Sequence, residues 1–279
     1  MQKLISICAV LLVGFALANC ANINSEDRRV NAQILAFSQA WKMMLLSGNQ
    51  FTLASYVPEL PAKNDTLTIY IEGDGFAWRT RSQPSDNPTP LNPIALKMAL
   101  QHNNSAAAYL ARPCQYVKHG DAKGCAVTYW TDRRFAPEVI AATDLAINQL
   151  KKHFEAKHLV LVGYSGGGAV AALVAAKRQD VALLVTVAGN LDHVAWTKLH
   201  HVPLLKGSLN AADEWESLQN VSQLHYVGGK DRNISLQVIN SYLARFPYDH
   251  RPAVRVIEGF DHGCCWAEQW PDLLKNIPK

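Results

Sequence analysis

The residue of this sequence best suited to nucleophilic chemistry is a serine set between glycines. Ser165 stands in Gly163-Tyr164-Ser165-Gly166-Gly167, directly after an apolar run typical of a buried strand and directly before an alanine-rich run typical of a helix. A sharp strand-to-helix turn would expose its hydroxyl, and the glycines two residues to either side remove Cβ atoms that would collide. The pattern predicts an activated serine, and its alternative is a glycine-rich turn without chemistry.

A nucleophilic serine needs a base, and the sequence contains ten histidines. His262 follows the last predicted strand, residues 253–258. This would put it at the carboxyl edge of a parallel sheet, the same edge at which Ser165 follows its own predicted strand. His250 precedes that strand and should lie at the opposite edge. We predict His262 as the base, and the histidines that stay open as alternatives are His193, His200 and His201.

The best candidate for the acid that orients this base is Asp231. It follows the predicted strand 223–228 through Gly229-Lys230. Its carboxylate would accept a hydrogen bond from the imidazole and stabilise the imidazolium that forms when Ser165 gives up its proton. Asp192, after the preceding predicted strand, is the alternative. Either aspartate could instead cap a turn or a helix and take no part in chemistry.

These side chains depend on strands and helices that alternate along the chain. From residue 67 onward, short apolar or β-branched runs alternate with longer helical stretches, which is typical of a parallel sheet covered on both faces. The predicted strands are 67–73, 106–112, 158–163, 181–188, 223–228 and 253–258, and the predicted helices are 136–153, 166–178, 234–245 and 266–275. A further amphipathic helix is expected near 30–46, outside the sheet. The predicted fold class is α/β, in a single domain.

This arrangement resembles the α/β-hydrolase superfamily of serine hydrolases, and the resemblance covers residues 65–279. In that family the nucleophile, the acid and the histidine follow one another in chain order, as Ser165, Asp231 and His262 do. The resemblance implies an α/β-hydrolase domain over 65–279, with a mostly parallel sheet and helices on both faces. Residues 20–64 are then an N-terminal segment that contains the amphipathic helix.

The resemblance also implies an oxyanion site made of two backbone N–H groups. One belongs to Gly166, the residue after the nucleophile. The other lies in the loop 72–78, which is similar to the family's His-Gly segment with Glu72 in place of the histidine. The Asp74 amide is the implied second donor, and the Gly75 amide is the alternative. The alternative interpretation is that this loop is a glycine-rich turn that only reverses the chain and binds no oxyanion.

The first residues predict a secretory signal peptide over 1–19. One cation, Lys3, precedes an apolar run from Leu4 to Leu17 that is too short to span a bilayer. The residues Leu17-Ala18-Asn19-Cys20 resemble the lipobox of bacterial lipoproteins, which implies a lipid anchor on Cys20 and an envelope location facing the periplasm. Asn19 departs from that pattern. Ordinary cleavage after Ala18 would instead give a soluble periplasmic or secreted protein.

Beyond Cys20, four cysteines form an even set that suits an oxidising compartment, namely Cys114, Cys125, Cys264 and Cys265. A loop-closing disulfide fits Cys114 and Cys125. A bond between the adjacent Cys264 and Cys265 would be strained, because neighbouring Cα atoms are only about 3.8 Å apart. Cross-links between the two pairs therefore stay open. A metal site built on Cys264, Cys265 and His262 is not favoured, since the chain lacks paired C-x-x-C motifs.

Composition excludes several classes of protein. With 49% apolar and 18% charged residues the chain is neither disordered nor fibrous, and a net charge of +4 without long basic runs indicates no nucleic-acid partner. No dinucleotide or Walker motif is present, so no cofactor is expected. Together with the resemblance, these features predict a serine hydrolase that cleaves a small-molecule carboxylic ester, or a thioester or amide, through an acyl-enzyme on Ser165. The alternatives are an acyltransferase and a catalytically silent envelope lipoprotein with a binding role.

Overall fold

The fold is built on one eight-stranded sheet. The computed structural model describes residues 24–102 and 106–277. Its strands are β1 (Trp41–Gly48), β2 (Phe51–Pro58), β3 (Thr66–Ile71), β4 (Ala107–Leu110), β5 (His158–Tyr164), β6 (Val181–Val187), β7 (Gln223–Gly228) and β8 (Ala253–Ile257). Its α-helices are α1 (Ser25–Phe37), α2 (Ile94–Leu100), α3 (Pro137–His153), α4 (Gly166–Ala175), α5 (His193–His200), α6 (Trp215–Leu218), α7 (Leu236–Leu243) and α8 (Trp270–Leu274). Short 3₁₀ turns cover His119–Asp121, Val127–Trp130, Ala211–Glu214 and Tyr248–His250.

The strands lie in the order β1-β2-β4-β3-β5-β6-β7-β8. All pairings from β4 to β8 are parallel, and β1 and β2 form an antiparallel edge. The predicted α/β class with a mostly parallel sheet is confirmed. Because parallel strands end at the same edge, the residues that follow β3, β5, β7 and β8 are brought together there.

Helices cover both faces of the sheet because side chains alternate along each buried strand. In β5, Leu159 and Leu161 belong to the buried cluster under α3 and α4, whereas Val162 and Tyr164 belong to the cluster under α1, α2 and α8. A central strand such as β5 therefore supplies both halves of the core. This explains why its sequence is almost continuously apolar.

The predicted helix near 30–46 is wrong in its second half. The chain forms α1, whose start is fixed by a capping box between Asn24 and Asp27, and then turns at Ala40, which has a φ of 56°. That left-handed conformation cannot continue a helix. From Trp41 the apolar residues belong instead to β1, which pairs with β2, a strand that the sequence analysis missed. Both strands extend the sheet of residues 65–277 through the pairing of β2 with β4.

The predicted helix 266–275 is shorter in the structure, where α8 begins only at Trp270. Pro271 occupies its first turn. A proline is tolerated there, but further inside a helix it would lack an N–H group and clash with the preceding turn. The proline therefore sets the start of α8, and residues 266–269 form turns.

The predicted signal peptide 1–19 and Cys20 lie outside the described residues. Over the described ranges 24–102 and 106–277, we find no helix with the length and apolar character needed to cross a membrane.

Candidate active site

Ser165 is the single residue between the end of β5 and the start of α4. Its backbone has a φ of 52° and a ψ of −122°, which a residue with a side chain adopts only under strain. A Cβ atom on Gly163 would lie 2.3 Å from the Gly167 carbonyl oxygen, and one on Gly167 would lie 2.3 Å from the Ile71 carbonyl oxygen. Both glycines therefore permit a close approach of strand and helix. The geometry is the strained turn that the sequence predicts.

His262 lies beside Ser165 at the carboxyl edge of the sheet, although β6 and β7 separate its strand, β8, from β5. The Ser165 hydroxyl is 3.0 Å from Nε2 of the imidazole. The loop that carries the histidine is held on the sheet, because the Tyr164 hydroxyl donates a hydrogen bond of 2.8 Å to the His262 carbonyl oxygen. The Trp266 indole N–H also donates to the Asp261 carbonyl oxygen at 3.0 Å. These two hydrogen bonds hold the loop so that the imidazole stays within hydrogen-bonding distance of the serine.

Asp231 completes this chain of hydrogen bonds from a fully buried side chain. Its Oδ2 lies 2.8 Å from Nδ1 of His262, while Oδ1 accepts the backbone N–H groups of Asn233 and Ile234 at 2.8 Å each. One carboxylate therefore both caps a turn and binds the imidazole. A capping role and contact with the imidazole are thus compatible for Asp231. With Nδ1–H donated to Asp231, Nε2 can accept the serine proton.

Asp192, the alternative acid, serves a different purpose. Its Oδ1 accepts the backbone N–H groups of Val194 and Ala195 at 3.1 Å, and its Oδ2 accepts the Ser241 hydroxyl. These contacts make it the N-terminal cap of α5. The alternative histidine His200 likewise donates its Nε2–H to the Asn233 carbonyl oxygen, at 2.8 Å.

The loop after β3 brings Asp74 against Gly166, the two residues predicted to supply the oxyanion site. A Cβ atom on Gly166 would lie only 2.1 Å from Oδ1 of Asp74. The Asp74 carboxylate is 3.2 Å from Nη1 of Arg112 and 2.6 Å from Nη1 of Arg134. Burial opposes ionisation of this carboxyl, but the two guanidinium groups outweigh burial and hold its pKa below the usual range.

Arg112 and Arg134 are the site residues that sequence reasoning missed. Both guanidinium groups are almost fully buried, and Arg112 also donates to the Arg134 carbonyl oxygen. Gln115 adds a hydrogen bond of 2.9 Å to the Gly73 carbonyl oxygen. The position of Arg112 at the carboxyl end of the predicted strand 106–112, as its last residue, was an available signal. Nothing local distinguishes Arg134 from a surface cation, because its partner lies sixty residues away in the sequence.

Glu72, which stands where the family has histidine, is buried and anchors the start of the same loop. Its carboxylate accepts the Gly73 and Ala95 backbone N–H groups at 2.9 and 3.4 Å and the Tyr109 hydroxyl at 3.3 Å. Burial nevertheless dominates and raises the pKa of Glu72 to about 7. This carboxyl therefore gains or loses its charge near neutral pH.

The four cysteines pair with their sequence neighbours. Disulfides join Cys114 to Cys125, with Cα atoms 5.7 Å apart, and Cys264 to Cys265, with Cα atoms 3.7 Å apart. The second pair lies two residues beyond His262. The alternative of cross-links between the two pairs does not occur. Within the part of the chain that the structure describes, no group of three His, Cys, Asp or Glu side chains is placed to hold a metal ion.

Solved structures of esterases and serine hydrolases share this fold, although their sequence identity to this chain is low. The chain is similar to the Pyrococcus furiosus esterase Pf2001, with a TM-score of 0.59, 10% identity, and 85% and 90% of the two chains covered. It is also similar to an alpha-beta serine hydrolase homologue from Coxiella burnetii, with a TM-score of 0.58 and 14% identity, over 85% of this chain and 97% of that one. Est1E from Butyrivibrio proteoclasticus with ferulic acid bound matches with a TM-score of 0.59 and 13% identity, over 84% of this chain and 98% of that one. No family model and no curated protein matches the sequence. The likeness shows the fold.

Glu72 makes stability depend on pH in a defined direction. Its pKa is raised from 4.5 in the unfolded chain to about 7 in the fold, so its full stabilisation exists below pH 4.5 and is lost as the pH rises through 7. We expect Glu72→Gln, which stays neutral, to exceed the wild type in unfolding free energy by up to about 3 kcal/mol at a pH of about 8.

This excess should shrink steadily toward pH 4.5. Urea unfolding across this range, with Glu59→Gln as the same change at an exposed position, measures it. A difference between Glu72→Gln and wild type that does not change with pH would contradict the assignment.

Proposed function

We propose that the chain is a serine hydrolase that cleaves carboxylic esters through an acyl-enzyme on Ser165. The observation that carries this proposal is the continuous chain of hydrogen bonds from Ser165 through His262 to Asp231, with separations of 3.0 and 2.8 Å. These distances lie within reach of proton transfer. Thioesters and amides share the same carbonyl chemistry.

In the proposed reaction, Nε2 of His262 takes the Ser165 proton while Oγ attacks the substrate carbonyl carbon. The carbonyl oxygen gains the negative charge and is stabilised by the backbone N–H groups of Gly166 and Asp74. The tetrahedral adduct collapses as the imidazolium gives its proton to the leaving alcohol. Water then repeats these steps on the acyl-enzyme, and Asp231 stabilises each imidazolium.

Two further observations support chemistry over a silent binding role. Strained backbone conformations cost about 1–3 kcal/mol and persist where function requires them, and Ser165 is held in one directly beside an imidazole. The structural neighbours named above are an esterase, a serine hydrolase homologue and a protein that binds ferulic acid. An acyltransferase would share the first half of the reaction and differ in its acceptor.

We further propose an envelope location with a lipid anchor on Cys20. The lipobox-like residues before Cys20 carry this proposal, and the two disulfides fit an oxidising compartment. The small-molecule substrate would then be met on the periplasmic side of the membrane.

The acid is tested by removing each aspartate separately. Asp231→Asn should lower kcat by about 10⁴-fold, because the imidazole loses its orienting partner, and Ser165→Ala should abolish ester hydrolysis with the fold intact. Asp192→Asn is the matched control, and it should weaken the cap of α5 and lower the melting temperature while turnover changes far less. Steady-state hydrolysis and melting curves of the three variants measure this. Equal loss of turnover in the two asparagine variants would contradict the assignment of Asp231.

The anchor is tested at the N-terminus of the processed protein. Mass spectrometry should find an acylated Cys20, the wild type should partition into detergent, and Cys20→Ser should be soluble or incompletely processed. A processed chain that begins at Asn19 would exclude the anchor.

A further inference from the structure

A cavity of about 820 Å³ lies between the loop 78–81, the turn 131–134 and the segment 196–205. Its volume is within the range of pockets that bind small molecules. Of the residues between β6 and β7, only those in the segment 196–205 line the cavity. Trp215 instead packs against Phe246, with ring centroids 6.3 Å apart.

Two walls of the cavity are bonded to the loops that flank Ser165. On one side, Arg134 lines the cavity and binds Asp74, whose carboxylate lies against Gly166. On the other side, the Trp196 indole N–H donates to Oδ1 of Asn233 at 3.1 Å. The Asn233 backbone N–H in turn donates to Asp231. The lining of the cavity is therefore linked by hydrogen bonds to the loop that carries Asp74 and to the turn that carries Asp231.

The lining is rich in large apolar side chains that remain open to solvent. Trp78 is 39%, Val202 38% and Leu204 57% exposed, and the half-buried Trp196 completes this wall. Leaving apolar surface in water is unfavourable, and apolar surface gathered at one place marks a binding site. Their convergence favours a bulky apolar ligand.

Charge around the cavity disfavours a cationic ligand. Three guanidinium groups line it against the single carboxylate of Asp132. Arg79 pairs with Asp86 and Arg134 with Asp74, whereas Arg81 forms no ion pair among the described residues. A positively charged ligand would meet three guanidinium groups and only one carboxylate in this lining.

We propose that this cavity binds a bulky apolar group, aromatic or branched and without positive charge, in the substrate whose carbonyl Ser165 attacks. Calling the ligand a substrate rests on the proposed function. Trp78 and Leu204 are then specificity-determining residues, since their side chains face the cavity and form none of the hydrogen bonds that hold the triad.

Binding of 1-naphthoate, measured by calorimetry on the wild type and on Ser165→Ala, tests this directly. Both proteins should bind it saturably. Trp78→Ala and Leu204→Ala should each weaken binding by about tenfold, the scale of a lost apolar contact in a pocket, and Trp78→Phe should restore most of the affinity. Tyr248→Ala, a truncation at an exposed aromatic residue outside the cavity, should bind like wild type.

Two small ligands separate apolar contact from charge. Acetate should show no saturable binding, and 1-naphthylmethylammonium should bind at least about tenfold more weakly than 1-naphthoate. The inference is overturned if wild type does not bind 1-naphthoate, if neither cavity variant weakens its binding, or if the ammonium ligand binds equally well. Intact binding with no hydrolysis of naphthoate esters would count against the proposed function and leave the cavity assignment standing.

Discussion

The structure depends on a single turn in which the chain leaves β5 and enters α4 within one residue. Holding Ser165 at a φ of 52° is unfavourable, by about 1–3 kcal/mol for such a conformation. Hydrogen bonds of 3.0 Å on both sides offset this, from the Ser165 N–H to Val187 and from the Asn190 N–H to the Ser165 carbonyl oxygen. They tie the turn to the end of β6. The parallel sheet thus fixes the point toward which the other loops must reach.

Those loops are held by buried polar groups rather than by strand pairing. Two carboxylates anchor the loop after β3, and each is accommodated differently. Asp74 keeps its charge because Arg112 and Arg134 surround it, whereas Glu72 forms no ion pair within the described part of the chain and burial raises its pKa to about 7. On the opposite side, Asp231 divides its two oxygens between its own turn and His262. Buried polar networks of this kind favour a single arrangement of the loops.

Sequence reasoning reached the parts of this molecule that are set by local pattern and strand order. The apolar runs and the glycines around Ser165 predict the turn, and the rule that parallel strands share a carboxyl edge selects His262 and Asp231. It failed where the information is not local. The amphipathic pattern near 30–46 fits a helix or a strand equally well, and the turn at Ala40 has no glycine to reveal it. The buried cluster of Asp74, Arg112 and Arg134 shows the same limit at the site, because residues far apart in sequence meet only after the sheet has formed.

The most direct test of this mechanism is to identify the residue that reacts with a fluorophosphonate probe. We predict one adduct, found by peptide mass spectrometry on the peptide that contains Ser165, and strongly slowed labelling in His262→Ala. An adduct on a different residue, or labelling of His262→Ala at the wild-type rate, would contradict the claim that His262 activates Ser165.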